Sequence, residues 1–131
     1  MLKILEFLVG KTNCSAVAFN ELGNSFSRSQ LHGKLLNIGS EVEFNSVTSS
    51  GYFKQIVSGD TISAQEKYKP EFIFNPFCKL VFSSNDFPMT KDKTHGYYRR
   101  WILIIMDRIF GPNEQNHNLL NELKEELRGI S

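Results

Sequence analysis

Lys79-Leu80-Val81-Phe82-Ser83-Ser84 and Trp101-Ile102-Leu103-Ile104-Ile105-Met106 are the two stretches on which the fold reading turns. Each is a continuous apolar run of strand length. A strand with one wet face alternates, whereas a strand covered on both faces reads as an unbroken run, the pattern of a sheet inside an α/β protein. Leu35-Leu36-Asn37-Ile38-Gly39 is a third such run, with glycines on either side. The segments between and around these runs read as helices. Leu2, Ile4, Leu5, Leu8 and Val9 lie on one helical face that stops at Gly10, a residue suited to a C-cap. Phe19, Leu22 and Phe26 predict a short helix over residues 20–30. A further helix is predicted over 50–57, with Ser49 or Ser50 as N-cap and Ser58-Gly59-Asp60 as its end. Leucines at 119, 120, 123 and 127 predict a closing helix over 118–129. Strands alternating with helices point to a three-layer α/β sheet. Residues 61–74 interrupt this pattern: they alternate and hold Lys67-Tyr68-Lys69-Pro70, a basic, turn-like tip between two extended arms, so a β-hairpin is expected there.

At 131 residues the chain is long enough for one core and too short for two. Its composition, 40% hydrophobic and 22% charged, is that of an ordinary globular domain. The net charge of +1 gives no global pull toward nucleic acid, so any such function must rest on local charge. That charge is uneven. Residues 46–101 hold eight Lys/Arg against five Asp/Glu, whereas 102–131 hold three against five. Cys14 and Cys78 are far apart, without CxxC spacing or companion histidines, and read as free thiols in a reducing compartment rather than zinc ligands or a disulfide. The apolar N-terminus carries Lys3 and Glu6 and falls short of the ~20 residues of a membrane span. A soluble protein of the cytoplasm, in a bacterial or virally infected cell, is expected, with no membrane partner. The first helix begins at the first residue with no cap ahead of it, which suggests that a segment upstream is missing.

Five short motifs carry possible chemistry. Gly10-Lys11-Thr12 has the look of a Walker A ending, but such a loop needs an earlier glycine where Leu5 stands, and it must follow a strand and open a helix. Ser40-Glu41 follows the strand run at 35–39, the place where α/β nucleotide-binding sheets put their ligand chemistry; a solvated glutamate beside Glu43 would look the same. Asn85 ends the run at 79–84 with both a donor and an acceptor, which suits a γ-phosphate or an attacking water, and equally suits the start of the turn before Pro88. Tyr97-Tyr98-Arg99-Arg100 leads into the run at 101–106, where an anchored guanidinium suits an arginine finger and surface ion pairing is the plainer role. Lys67, Tyr68 and Lys69, with Lys54 behind them, combine basic and aromatic groups that can grip a phosphate backbone without reading sequence; lysines that protect a sheet edge look similar.

Taken in order, these motifs resemble a known family. The runs 51–70, Pro76-Phe-Cys-Lys-Leu-Val-Phe-Ser-Ser-Asn85 and Tyr98-Arg-Arg-Trp-Ile-Leu-Ile-Ile105 are similar to the C-terminal motor of superfamily 3 DNA helicases, in particular the phage, plasmid and poxvirus type of primase-helicase. The resemblance covers nearly the whole chain and is strongest over 35–110. It implies a partial AAA+ domain, a P-loop NTPase-like three-layer sandwich with an inserted β-hairpin, lacking the Walker A strand and loop. Residues 1–110 would be the motor core and 111–131 a C-terminal helix. By position, Glu41 matches the Walker B glutamate, with Ser40 where many members carry a magnesium-binding aspartate. Asn85 matches sensor 1 and Arg100 the arginine finger. Lys67 and Tyr68 match the hairpin tip that tracks single-stranded DNA through a homo-hexameric ring, with Lys69 and Lys54 beside them. ATP and magnesium are implied as ligands of the intact motor. None is expected to bind tightly to these 131 residues, whose first helix would directly follow the absent loop. The expected activity is that of part of an ATP-dependent helicase for phage or plasmid replication. The alternative is an inactive remnant that binds DNA or assembles with longer subunits.

Overall fold

The computed structural model describes residues 2–39, 50–85, 91–126 and 129. Its elements are α1 (Leu2–Val9), β1 (Cys14–Ser15), α2 (Ser25–Ser29), β2 (Leu36–Gly39), α3 (Ser50–Ser58), β3 (Ile62–Gln65), β4 (Glu71–Phe74), β5 (Lys79–Phe82), α4 (His95–Tyr98) and α5 (Leu119–Glu125), with 3₁₀ turns at Lys11–Asn13, Phe19–Gly23 and Pro112–Glu114. The chain is a mixed α/β fold. Strands β1, β2 and β5 form one parallel sheet in the order β1-β2-β5, and β3 and β4 form a separate antiparallel pair.

Local chemistry accounts for most of the boundaries. Gly10 and Gly59 end α1 and α3 with φ of +88° and +74°, a left-handed conformation that side chains other than glycine rarely adopt. The helix expected over 20–30 is divided in two. Asn24 breaks it by turning its side-chain Oδ1 onto the N–H groups of Phe26 (2.9 Å) and Ser27 (3.4 Å), which caps α2 and leaves Phe19–Gly23 as a 3₁₀ turn. The N-cap expected at Ser49 lies outside the described residues, as do Ser40 and Glu41.

The central strand holds a polar group in the core. Asn37 is fully buried; its Nδ2 donates to the Val17 carbonyl (2.9 Å), while its Oδ1 accepts from the Val17 N–H (2.8 Å) and the Ser15 hydroxyl (2.9 Å). This amide therefore continues the β1–β2 ladder past the point where β1 ends, and satisfies backbone groups that would otherwise be stranded. Gly39 is required for a different reason: a Cβ there would stand 2.6 Å from Phe82 Cδ1 and 2.8 Å from the Val17 carbonyl oxygen. Around the sheet, Phe19 meets Phe53, Phe82 and Trp101 with ring centroids 5.6, 5.3 and 5.4 Å away, and Trp101 stacks on Phe53 at 4.7 Å. Leu22, Ile56 and Tyr97 complete this core, and Cys78 is buried with them, its thiol pushed up by burial.

The strand expected over 101–106 does not form. Residues 101–110 are neither helix nor strand, and Ile102 and Ile105 are 89% and 82% exposed. Trp101 is the last residue held by the core. A strand needs a backbone partner along its edge, and β5 ends the sheet without engaging this segment. The closing helix is described over Leu119–Glu125, within the span expected for it, while residues 127 and 128 lie outside the described residues; the Lys124 ammonium lies 4.2 Å from the Phe7 ring centroid of α1.

Candidate functional site

The hairpin is the most fully built of the sites anticipated from sequence. β3 and β4 pair from Ile62 opposite Phe74 to Gln65 opposite Glu71, with Ile62, Ala64 and Phe74 facing the core. Its base is tied down on two sides. Asn75 Nδ2 donates to the Gly59 carbonyl (3.1 Å) and the Thr61 hydroxyl (3.0 Å), and Arg28 Nε donates to the Ser63 carbonyl (2.9 Å). Arg28 is 2% exposed; its Nη1 also donates to the carbonyls of Leu22 (3.2 Å) and Gly23 (2.7 Å), and its guanidinium lies 3.8 Å from the Tyr52 ring centroid. A buried cation is tolerated only when its donors are occupied, and here backbone carbonyls and a π face occupy them. The result is a rigid mount joining α2, α3 and the hairpin. Nothing in the sequence marks it, because an arginine among serines reads as an exposed position.

The tip of this mount is exposed and strained. Tyr68 has φ +64° and is 92% exposed, an unusual conformation and setting for a bulky aromatic. Lys69 N–H donates to the Glu66 carbonyl (3.1 Å), Gln65 Nε2 donates to the Lys69 carbonyl (3.3 Å), and the Lys69 ammonium pairs with the Glu66 carboxylate. Lys67 extends over the Tyr68 ring at 5.1 Å and, among the described residues, forms no ion pair. A cation and an aromatic face are thus presented together at the end of an anchored arm. Between the hairpin and α2 lies an open cleft of about 420 Å³ lined by Phe26, Ser29, Gln30, Gln65, Glu66 and Lys67. Phe26, expected on the same buried face as Phe19 and Leu22, is instead 50% exposed into it.

Lys54 sits on α3, where its ammonium pairs with Asp92 at 2.8 Å. Hydrogen bonds from Lys54 first, and then from the Thr94 hydroxyl and N–H, hold the Asp92 carboxyl well below the usual carboxylate range. Arg100 follows α4; its Nη2 donates to the Ser58 hydroxyl (2.9 Å) and its Nη1 to the Gly96 carbonyl. Lys54 and Arg100 therefore fasten the segment 92–100 to α3. Asn85 is exposed three residues beyond Phe82. Gly39 pairs in register with Phe82, so β2 and β5 end at the same end of the parallel sheet. Ser40 and Glu41, which the sequence resemblance matches to the magnesium-binding position and the Walker B glutamate, lie outside the described residues.

The fit of a magnesium–nucleotide group can be judged on the described side chains. Gly10-Lys11-Thr12 lies in a helix–turn–strand arrangement, α1 to β1, the reverse of the strand–loop–helix that presents N–H groups to a triphosphate. Arg100 is bonded within its own chain. No group of three or more His, Cys, Asp or Glu among the described residues could hold a metal ion. The described residues alone do not make a triphosphate cradle. No helix among the described residues is long and apolar enough to cross a membrane.

Among solved structures, the chain is similar to the A-form apo structure of the NrS-1 C-terminal region, with a TM-score of 0.64 and 14% identity, covering 98% of this chain and 31% of that one. The chain thus spans about a third of the length of that structure and shares its fold over nearly all its own length. No curated protein matches it. A family model described as a family of unknown function, DUF5906, matches residues 2–100, and the chain belongs to that family.

Proposed function

We propose that this chain is the DNA-gripping part of a primase-helicase motor of the superfamily 3 type, and that its hairpin contacts single-stranded DNA. The observation that carries this reading is the hairpin tip: Lys67 and a left-handed, exposed Tyr68 at the end of an arm whose base is locked by Arg28 and Asn75. Phosphates attract the ammonium groups and any base or sugar can pack on the ring, so the contact is independent of sequence. The sequence resemblance and the fold shared with the NrS-1 C-terminal region both support it. In the same reading Glu41 and Asn85 would serve ATP and magnesium in the assembled ring, Lys67 and Tyr68 with Lys69 beside them meet the strand, and Lys54 and Arg100, bonded to Asp92 and Ser58 in this chain, would have to exchange those partners to reach DNA or nucleotide.

The test is fluorescence anisotropy of a labelled single-stranded oligonucleotide across a salt series. Binding is expected to be weak, because one hairpin lacks the avidity of a ring, and steeply salt-dependent. Replacing Lys67 and Lys69 together with alanine removes the one cation of the tip that forms no ion pair among the described residues, Lys67, and makes the log–log salt slope shallower by about 0.7. An unchanged slope and affinity would remove the hairpin from the function.

A further inference from the structure

The cleft between α2 and the hairpin has a chemistry distinct from that of the tip. Its lining brings together an aromatic ring, Phe26, the amides of Gln30 and Gln65, each with donor and acceptor, and the ammonium of Lys67. Glu66 also lines it, but its carboxylate is paired with Lys69, so Lys67 is left as the charge facing an incoming anion. One N–H of Gln65 Nε2 is committed to the Lys69 carbonyl, which leaves the other N–H and Oε1 for a ligand. At about 420 Å³ the space lies near the lower end of the ~300–1,000 Å³ range of small-ligand sites. That suits one nucleotide and is too small for a paired duplex.

We infer that this cleft is a nucleobase subsite: one unpaired base of the bound strand stacks on Phe26 while its phosphate meets Lys67, with Gln30 and Gln65 at the base edge. The Asn24 cap turns Phe26 outward, half-exposed, so that its ring is available on the cleft wall. The stack also gives the strand a fixed register relative to the tip, because a base held in the cleft prevents the backbone from sliding over Lys67 and Tyr68.

This inference rests on the hairpin's contact with single-stranded DNA, and the experiment separates the two. Phe26→Leu keeps apolar bulk at a half-exposed position and removes the ring; Phe77→Leu alters another exposed phenylalanine that does not line the cleft. Each variant, with Lys67→Ala, is titrated against oligo-dT and against an abasic strand of equal length, after circular dichroism has confirmed the fold. Phe26→Leu is expected to weaken oligo-dT binding about fivefold or more, the lower range for losing one base–aromatic stack, and to leave the abasic strand unaffected. Lys67→Ala weakens both strands and Phe77→Leu neither. If Phe26→Leu changes neither strand, or weakens both equally, while Lys67→Ala weakens both, the nucleobase subsite is overturned and the hairpin contact stands. If Lys67→Ala also has no effect, the hairpin contact falls too.

Discussion

Residues 79–82 and 102–105 read alike from sequence, each as four residues within a run of strand length, yet one is β5 and the other is exposed and irregular. The difference lies in what each finds beside it. β5 has β2 along one edge, in register from Leu36–Lys79 to Gly39–Phe82, and Phe19 against Phe82. Among the described residues, the segment after Trp101 has neither. An apolar run states that a segment will be stable when covered; it does not state that a cover exists.

The sharpest way to break this contrast is to remove the ring that joins both regions to the core. Phe19 is buried against Phe53, Phe82 and Trp101 and so supports β5 and fixes the last anchored residue before the irregular segment. Phe19→Ala is expected to cost about 3–5 kcal/mol in urea unfolding, enough to unfold much of the population of a small domain. A loss under about 1 kcal/mol would mean that the aromatic cluster does not hold β5. Gly39→Ala tests the β2–β5 pairing alone. Its new methyl would meet Phe82 and the Val17 carbonyl at well under contact distance, and a cost of about 1–3 kcal/mol is expected in the same assay.

How far the sequence could be read follows from the same contrast. Features decided by a residue and its near neighbours were legible: the glycine ends of α1 and α3, the hairpin with its basic tip, and the run that became β2. Features decided by distant partners were not. Arg28 and Asn37 are polar side chains made to fit the core by carbonyls 5 to 35 positions away, and neither spacing nor composition encodes such partners. Phe26 matched a buried helical face, but the cap at Asn24 restarted the helix and turned that position outward. The place of Lys67, Tyr68 and Lys69 at the hairpin tip was legible, since they adjoin in sequence, whereas the left-handed backbone of Tyr68 and the Lys69–Glu66 pair were not. The places of Lys54 and Arg100 were not, because their partners Asp92 and Ser58 lie 38 and 42 residues away.

A smaller effect is expected from the clamp that fastens 92–100 to α3 just ahead of the irregular segment. Asp92 is held below its usual range by Lys54 and Thr94, so the folded state binds its proton less readily than the unfolded chain does. The stability it contributes is therefore complete above the ordinary carboxylate range and is lost as pH falls through the depressed value. Asp92→Asn should lower the melting temperature modestly at neutral pH, with the gap from the parent chain narrowing once pH drops below about 4. A gap that stays constant on acidification would show that the ion pair does not form in solution. Salt should shrink the same gap, since the Lys54 side chain is a third exposed.

The smallest expected effect is also the most direct test of the contrast. Ile104 is 72% exposed in the irregular segment, so Ile104→Thr should change stability by no more than about 0.5 kcal/mol in either direction, as surface substitutions do. Threonine keeps the β-branch, so any strand tendency of the backbone is preserved while apolar area is removed. Hydrogen exchange adds a readout that does not depend on mutation: amides of β5 that donate within the sheet should be protected, and those of 102–106 should exchange at nearly the rate of an unstructured chain. If Ile104→Thr instead costs 2 kcal/mol or more, or if the 102–106 amides are protected, the run is covered in solution and has found an edge to pair with. In that case the two stretches are alike after all, and the contrast belongs to the isolated chain's fold alone.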